Sequence, residues 1–177
     1  MKRNQSTTVA LFASAVLLLA TPAVAADNNI GTWKLNLAKT THSPGAPPKS
    51  HTVKIAAWGE DGIKYTADGV SAEGKPTHSA FRAKYDGKDY PFENHPGHTV
   101  AYKRIDANTV QVTTKMDGKV TITGNITVSA DGKTRTIVQT GTDSHGRKVN
   151  SMWVYDKEQR HVPSRPWMAL AWPKGTP

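Results

Sequence analysis

Short segments in which apolar and polar residues alternate are the main pattern of the sequence. In segment 109–116, Val110 and Val112 fall on one face of an extended chain, while Gln111 falls on the other. Segment 119–129 repeats the pattern, with Val and Ile alternating with Thr and Asn. A period of two residues is typical of a half-buried β-strand, because successive side chains of a strand point to opposite faces. We therefore predict two paired strands in this region.

Asp-Gly pairs separate many of these segments. Asp-Gly favours the positive φ values of tight turns, and such a pair between two alternating segments is the strongest local sign of a β-hairpin. We expect hairpin turns at Asp61-Gly62, Asp68-Gly69, Asp86-Gly87, Asp117-Gly118 and Asp131-Gly132.

Applied to the whole chain, these patterns predict many strands and no long helix, because no window shows an apolar stripe at the helical period. The predicted strands are 31–38, 51–58, 62–67, 77–85, 88–92, 98–105, 109–116, 119–129, 133–140 and 147–156. Successive hairpins form an antiparallel meander, which removes its exposed edges most completely by closing into a barrel. We therefore expect an all-β fold, an antiparallel up-and-down β-barrel of about 8–10 strands. A two-sheet sandwich is the alternative.

Two segments lack the strand pattern. Segment 39–50 contains three prolines, which lack backbone donors, so we expect a rigid loop at one mouth of the barrel. Segment 161–177 combines four prolines with Trp167 and Trp172. It is either a loosely docked or disordered tail, or an apolar plug that docks a partner.

Residues 1–25 resemble a removable secretory signal. Lys2 and Arg3 precede an apolar run that is too short to span a bilayer, and Ala23-Val24-Ala25 fits a cleavage site. No second apolar run follows, so we expect no membrane span. The predicted organisation is a signal peptide (1–25), a barrel domain (26–160) and a C-terminal tail (161–177), in the periplasm or medium of a bacterium. Cys is absent, which excludes disulfides, a lipobox and thiolate sites.

The opening strand, Gly31-Thr32-Trp33-Lys34-Leu35, resembles the calycin superfamily of lipocalins and fatty-acid-binding proteins, which share a Gly-x-Trp there. It is similar to small secreted lipocalin-like bacterial proteins that open with Gly-Thr-Trp-Lys-Leu-Asn and continue through Ala-Lys and Ser-Pro-Gly. The resemblance implies a calycin-like barrel whose floor is closed by Trp33. It also implies that a basic residue near the end of the last strand, Lys157 or Arg160, packs over this tryptophan.

The chain departs from fatty-acid-binding proteins in two ways. Those proteins carry two helices between their first two strands, where this chain has the proline-rich loop. They also carry an Arg-x-Tyr on the final strand that holds a carboxylate, whereas this chain has Trp153-Val154-Tyr155. The tyrosine matches and the arginine does not.

Several apolar strand faces include aromatic or cationic residues that could line a cavity. Arg104 alternates in phase with Tyr102, and Arg135 with Ile137. A cation on an apolar face needs a partner, which in a cavity could be an anionic head group. Alternatively, these arginines lie outside or pair with Asp or Glu. The candidate ligand-binding residues are Phe81, Tyr85, Tyr102, Arg104, Arg135, Trp153 and Tyr155.

No motif for catalysis, phosphate binding or a cofactor occurs in the sequence, so we expect neither an enzyme nor a bound cofactor. His95 and His98 could seat a metal together with Glu93, although solvated loop histidines are the favoured interpretation and no metal site is predicted. The net charge of +9 falls to +7 without Lys2 and Arg3. This charge is spread over many strands, which argues against nucleic acid and favours mild attraction to an anionic envelope surface.

Two functional hypotheses follow. The first is a secreted or periplasmic protein that binds a small apolar ligand, lipid-like or fatty-acid-like, which could carry an anionic group. The second is an envelope structural or protein-interaction module whose barrel is filled by its own side chains.

Overall fold

The computed structural model describes residues 27–143 and 145–159. These residues form ten β-strands and one short 3-10 helix, Leu37–Lys39. The strands are β1 (Gly31–Leu35), β2 (Ser50–Ala57), β3 (Gly62–Val70), β4 (Pro76–Lys84), β5 (Asp86–Glu93), β6 (His98–Arg104), β7 (Thr109–Met116), β8 (Lys119–Val128), β9 (Thr134–Thr142) and β10 (Lys148–Lys157).

The strands close into one antiparallel barrel. Each strand pairs with its neighbours in sequence, and β1 pairs with both β2 and β10. Trp33 shows the closure directly, since it lies opposite Val53 on one side and Lys157 on the other. The predicted up-and-down barrel is confirmed, and the two-sheet sandwich is wrong.

The Asp-Gly pairs at 61–62, 117–118 and 131–132 lie at turns, as predicted. The turn predicted at Asp86-Gly87 is wrong, because both residues lie at the start of β5, where the pairing with β6 is irregular. Asp117 and Gly118 adopt φ values of 49° and 77° in the two-residue turn between β7 and β8. The prediction of a turn at Asp68-Gly69 is wrong, because both residues lie inside β3. A Cβ on Gly69 would be 2.5 Å from the carbonyl oxygen of Ser50, so this glycine allows close approach of β2 instead.

The two ends of the barrel differ. Segment 27–30 lies at one end, which we call the floor, and loop 36–49 lies at the other, which we call the mouth. Inward side chains near the floor, such as Trp33, Val53 and Ile63, are fully buried. Inward side chains towards the mouth keep part of their surface exposed, among them Phe92, Ile122, Ile137 and Trp153. The interior is therefore tightly packed at the floor and less enclosed towards the mouth.

Trp33 closes the floor, as the resemblance implied. Lys157 lies across it, with Nζ 4.8 Å from the ring centroid and donating to the carbonyl oxygen of Asn28 at 3.2 Å. Gly31 makes room for this lysine, because a Cβ at that position would be 2.5 Å from Lys157 Cε. Lys157 is thus the basic residue that packs over the tryptophan, while Arg160 lies outside the described residues.

The loop between β1 and β2 folds against β10 at the mouth. Ser43 donates its backbone N–H to Ser151 Oγ at 3.1 Å, and the His42 ring meets the Trp153 ring edge-on at 5.1 Å. The proline-rich loop therefore lies at a mouth of the barrel, as expected, and it covers part of that opening.

Both terminal predictions, the signal peptide (1–25) and the tail (161–177), fall outside the described residues. Within residues 27–143 and 145–159, no helix is long and apolar enough to cross a membrane.

Candidate functional site

Arg135 is the central residue of the candidate site. It follows the first residue of β9, points into the barrel and is 0% exposed. Its Nε donates to Asn29 Oδ1 at 2.9 Å. Among the described residues, its Nη1 and Nη2 form no hydrogen bond of normal geometry, although the Tyr102 hydroxyl is close enough to interact with the guanidinium. No carboxylate of these residues forms an ion pair with it. A buried guanidinium with two unpartnered amino groups is unfavourable unless an acceptor binds there.

Three tyrosines surround this guanidinium. The Arg135 Cζ lies 5.7 Å from the ring centroid of Tyr155, the residue directly opposite on β10. Burial raises the pKa of Tyr65, Tyr102 and Tyr155, and the positive charge of Arg135 opposes that rise in each case. The phenols therefore stay protonated at neutral pH and can donate hydrogen bonds.

His51 connects this group of residues to the mouth. It lies near the mouth end of β2, and its Nδ1 is 3.0 Å from the hydroxyl of Tyr155. Burial lowers the pKa of His51, the charge of Arg135 lowers it further, and Asp68 opposes the shift. His51 is therefore neutral at neutral pH, and it adds no second positive charge beside Arg135.

Trp153 has the third unpartnered donor of the interior. Its indole lies beside His42 and His51, with ring centroids 5.1 Å and 6.0 Å away. Its Nε1 is buried without a hydrogen-bond partner among the described residues. The unpartnered buried side-chain groups of this part of the chain are thus all donors, on Arg135 and Trp153, and an acceptor would satisfy them.

An aromatic surface lies on the opposite wall of the barrel. Phe81 stacks on Tyr65 with ring centroids 4.4 Å apart and meets Phe92 and Tyr102 edge-on at 5.0 Å and 5.6 Å. These rings form an apolar wall across the interior from Arg135.

Arg104 and Tyr85 lie at the floor, where the protein itself satisfies their polar groups. Asp27 accepts from Arg104 Nη2 at 3.2 Å and from the Tyr85 hydroxyl at 2.7 Å. The Arg104 guanidinium also lies 3.8 Å above the Tyr85 ring, and Asp61 is 3.6 Å from Arg104 Nη2. Arg104 therefore pairs with Asp, which is the alternative interpretation of the two arginines.

Asn29 joins the floor to Arg135. Its Nδ2 donates to the Tyr85 hydroxyl at 3.1 Å, its Oδ1 accepts from Arg135, and its carbonyl oxygen accepts from Trp33 Nε1 at 2.9 Å. This buried amide fixes the orientation of the guanidinium, leaving the Nη1 and Nη2 groups directed elsewhere.

The structure brings five of the predicted residues together around the interior: Phe81, Tyr102, Arg135, Trp153 and Tyr155. As ligand contacts, all seven candidates stay predictions. Sequence reasoning missed Tyr65, His51 and Asn29. The first two could have been found by alternation, because Tyr65 is in phase with Ile63, and His51 with Val53.

The histidine pair at the mouth has no metal-binding arrangement around it. The rings of His95 and His98 are 6.1 Å apart. Among the described residues, no group of three or more His, Asp or Glu side chains is placed to hold a metal ion.

No protein-family model matches the chain. No curated protein sequence matches it either. The fluorescent protein UnaG has a similar structure, with a TM-score of 0.51 and 17% identity over 74% of this chain and 98% of that chain. A mutant of UnaG gives a TM-score of 0.50 with 15% identity, over 75% of this chain and 97% of that one. The fold is a calycin-like barrel. Zebrafish ileal bile acid-binding protein, solved with cholic acid, is a more distant match at 12% identity and a TM-score of 0.44, covering 74% and 99% of the two chains.

An arginine of a neighbouring strand lies beside the tyrosine of the Trp153-Val154-Tyr155 segment. Arg135 of β9 lies directly opposite Tyr155 of β10 in the register of the sheet. A guanidinium and a tyrosine therefore meet in the interior, although Trp153 occupies the place of the Arg-x-Tyr arginine in the sequence.

Proposed function

We propose that this protein binds a small, largely apolar ligand with an anionic group, such as a fatty acid or a related lipid. The anionic group binds Arg135, and the apolar part lies against the aromatic wall around Phe81. The proposal rests on one observation: Nη1 and Nη2 of the fully buried Arg135 lack hydrogen-bond partners among the described residues. A carboxylate accepts from a guanidinium through two parallel hydrogen bonds, which satisfies both groups at once.

Access is from the mouth. The Nη atoms are enclosed by protein, and Trp153 and His51 lie on the mouth side of Arg135. An entering ligand displaces these two side chains and gains the buried Trp153 Nε1 as a further donor. Binding therefore changes the surroundings of Trp153, which makes its fluorescence a direct reporter.

We also propose where the protein acts and whether it is a binding protein or an enzyme. The N-terminal 25 residues favour export to the periplasm or medium, where the ligand would be met. We infer a binding protein and not an enzyme, because, among the described residues, the imidazole beside Arg135 is that of His51 and its contact is the hydroxyl of a protonated tyrosine.

The test compares the affinity of delipidated protein for a fatty acid with its affinity for the fatty alcohol of the same length. Tryptophan fluorescence and calorimetry measure the binding. A hydrogen bond to a charged group contributes about 1.5–3 kcal/mol, so the acid should bind roughly 10- to 150-fold more tightly. Arg135→Met should abolish this preference. Arg82→Met, which removes an exposed arginine of the outer surface, is the matched control and should keep it.

Equal affinity for acid and alcohol, or equal loss in both variants, would contradict the proposal. Absence of any uptake would favour the second candidate, an envelope module with a self-filled barrel. That candidate is supported by the tight packing of the floor half, where Trp33, Ile63 and Val53 have no exposed surface.

A further inference from the structure

The outer surface of β1 to β4 has a group of cations without ion-pair partners, which we call the basic face. Its members are all exposed, and they are Lys34, Lys54, Lys64, Arg82 and Lys84. Every Asp and Glu of the chain lies within the described residues, and none of them is within 4.0 Å of these five cations. Asp156 lies directly opposite Lys34 across the β1–β10 pair, whereas the other four cations have no acid directly opposite them in the register of the sheet. Most of the basic face is therefore not neutralised by the barrel itself.

The register of the sheet brings two of these cations directly together. Lys64 lies opposite Arg82, and Lys54 is diagonal to Lys64 across the β2–β3 pair. Like charges placed directly opposite on neighbouring strands are destabilising. This arrangement is unfavourable in the free protein and becomes favourable when an anionic surface covers it.

An open groove of about 660 Å³ lies at the floor end of the basic face. Lys54, Lys64 and Lys157 contribute three cations to its lining, and Glu158 contributes the one acid. Thr66 and Ala56 supply its polar and apolar walls between the lysines. The groove is large enough for a phosphate-bearing head group, and its lining has the opposite charge.

Trp58 stands beside this groove. It follows β2 directly, is 37% exposed and comes after the exposed residues Ala56 and Ala57. A tryptophan next to lysines is typical of protein segments at a membrane–water interface, where the ring lies at head-group level and the cations attract anionic lipids.

We propose that the basic face docks the protein on an anionic phospholipid surface, with Trp58 at the head-group level. This docking does not depend on the ligand proposed for the interior. It places the floor end of β2 and β3 on the lipid and leaves the mouth, at the opposite end of these strands, open.

The test measures partition of the protein, expressed from its full sequence, onto phosphatidylcholine vesicles with and without phosphatidylglycerol. We expect binding only to the anionic vesicles, and loss of binding at high salt. Each cation near an anionic surface changes partition about fivefold, so Lys64→Gln with Arg82→Gln should weaken it roughly thirty-fold. The matched control, Lys75→Gln with Lys119→Gln, removes two exposed lysines at the mouth end, one before β4 and one at the start of β8, and should change partition less than threefold.

Trp58→Phe gives an independent readout. The blue shift of tryptophan fluorescence on anionic vesicles should disappear in this variant while most of the partition remains.

Equal loss in both double variants would mean that net charge and not the basic face is responsible, and would overturn the proposal. Binding that survives the change at Lys64 and Arg82 but is lost on truncation after Gln159 would overturn it in favour of the C-terminal segment. Binding of heparin but not of anionic vesicles would overturn it in favour of a soluble polyanion.

Discussion

Replacing Arg135 by Met should make the ligand-free protein more stable while removing its preference for anionic ligands. The change removes a buried charge whose Nη1 and Nη2 have no partners. It keeps an unbranched apolar side chain in the same place on β9, between the inward-facing Tyr155 and Val128 at neighbouring positions of the sheet.

The expected change in the free energy of unfolding follows from counting the buried groups that gain or lose a hydrogen-bond partner. Each unpartnered buried group costs about 1–3 kcal/mol, so removing two of them should return about 2–6 kcal/mol. The change also removes the Nε bond to Asn29, which is a bond from a charged group and contributes about 1.5–3 kcal/mol. The difference between the two ranges is centred on a gain of about 2 kcal/mol. For a domain of this size, that gain raises Tm by roughly 3–9 °C.

Urea unfolding of delipidated protein measures this change directly, with Arg82→Met as the exposed control that should stay within about 0.5 kcal/mol of the original. A fatty acid at about 100 times its Kd should stabilise the original protein by about 2.7 kcal/mol. Because Arg135→Met should bind the acid roughly 10- to 150-fold more weakly, the same concentration should stabilise this variant by only about 0.3–1.4 kcal/mol.

A loss of more than about 2 kcal/mol in the ligand-free variant would refute the reasoning, because it would show that Arg135 is already satisfied inside the folded protein. It would then have a structural role like that of Arg104, and the self-filled barrel would be the better hypothesis.

Three further changes test the surroundings of the site. Because burial holds the pKa of His51 below 6.5, the unfolded chain binds a proton there more readily, so stability is lost as the pH falls below 6.5. His51→Gln should therefore reduce the acid-induced fall in Tm, whereas His98→Gln at the exposed rim should not. Gly31→Ala should lower the unfolding free energy by about 1–3 kcal/mol, because φ is 144° there, and an unchanged urea midpoint would contradict this. Asn29→Ala should destabilise by about 1–3 kcal/mol, since it leaves the buried Nε of Arg135 unsatisfied while Tyr85 keeps its bond to Asp27, and a smaller loss in the Arg135→Met background would show the coupling by a double-mutant cycle.

Most of the fold was predictable from the sequence, because strand faces and hairpin turns are local properties. Alternation placed all ten strands, since one face of each packs inside the barrel, and the turn at Asp117-Gly118 follows from the φ values that these two residues tolerate. Asp68-Gly69 shows the limit of this reasoning. A glycine in a turn and a glycine at a close strand contact look alike until the neighbouring strand is placed.

The site was less predictable, because its chemistry depends on which groups remain unpartnered. Arg104 and Arg135 are equivalent in the sequence, since both alternate with apolar neighbours on a strand. Asp27, which precedes β1, reaches Arg104 and neutralises it, whereas Asn29, two residues later, reaches only the Nε of Arg135.

The difference between these two arginines therefore arises in segment 27–30, outside every strand. The carboxylate of Asp27 completes the floor together with Arg104. The neutral amide of Asn29 orients Arg135 without cancelling its charge. If an Asp stood in place of Asn29, it would form an ion pair with Arg135 and remove the need for a ligand anion. Asn29→Asp should accordingly raise the stability of the ligand-free protein and abolish the preference for acid over alcohol, with the mouth and the aromatic wall unchanged. Retention of that preference in Asn29→Asp would show that the anionic group binds away from Arg135.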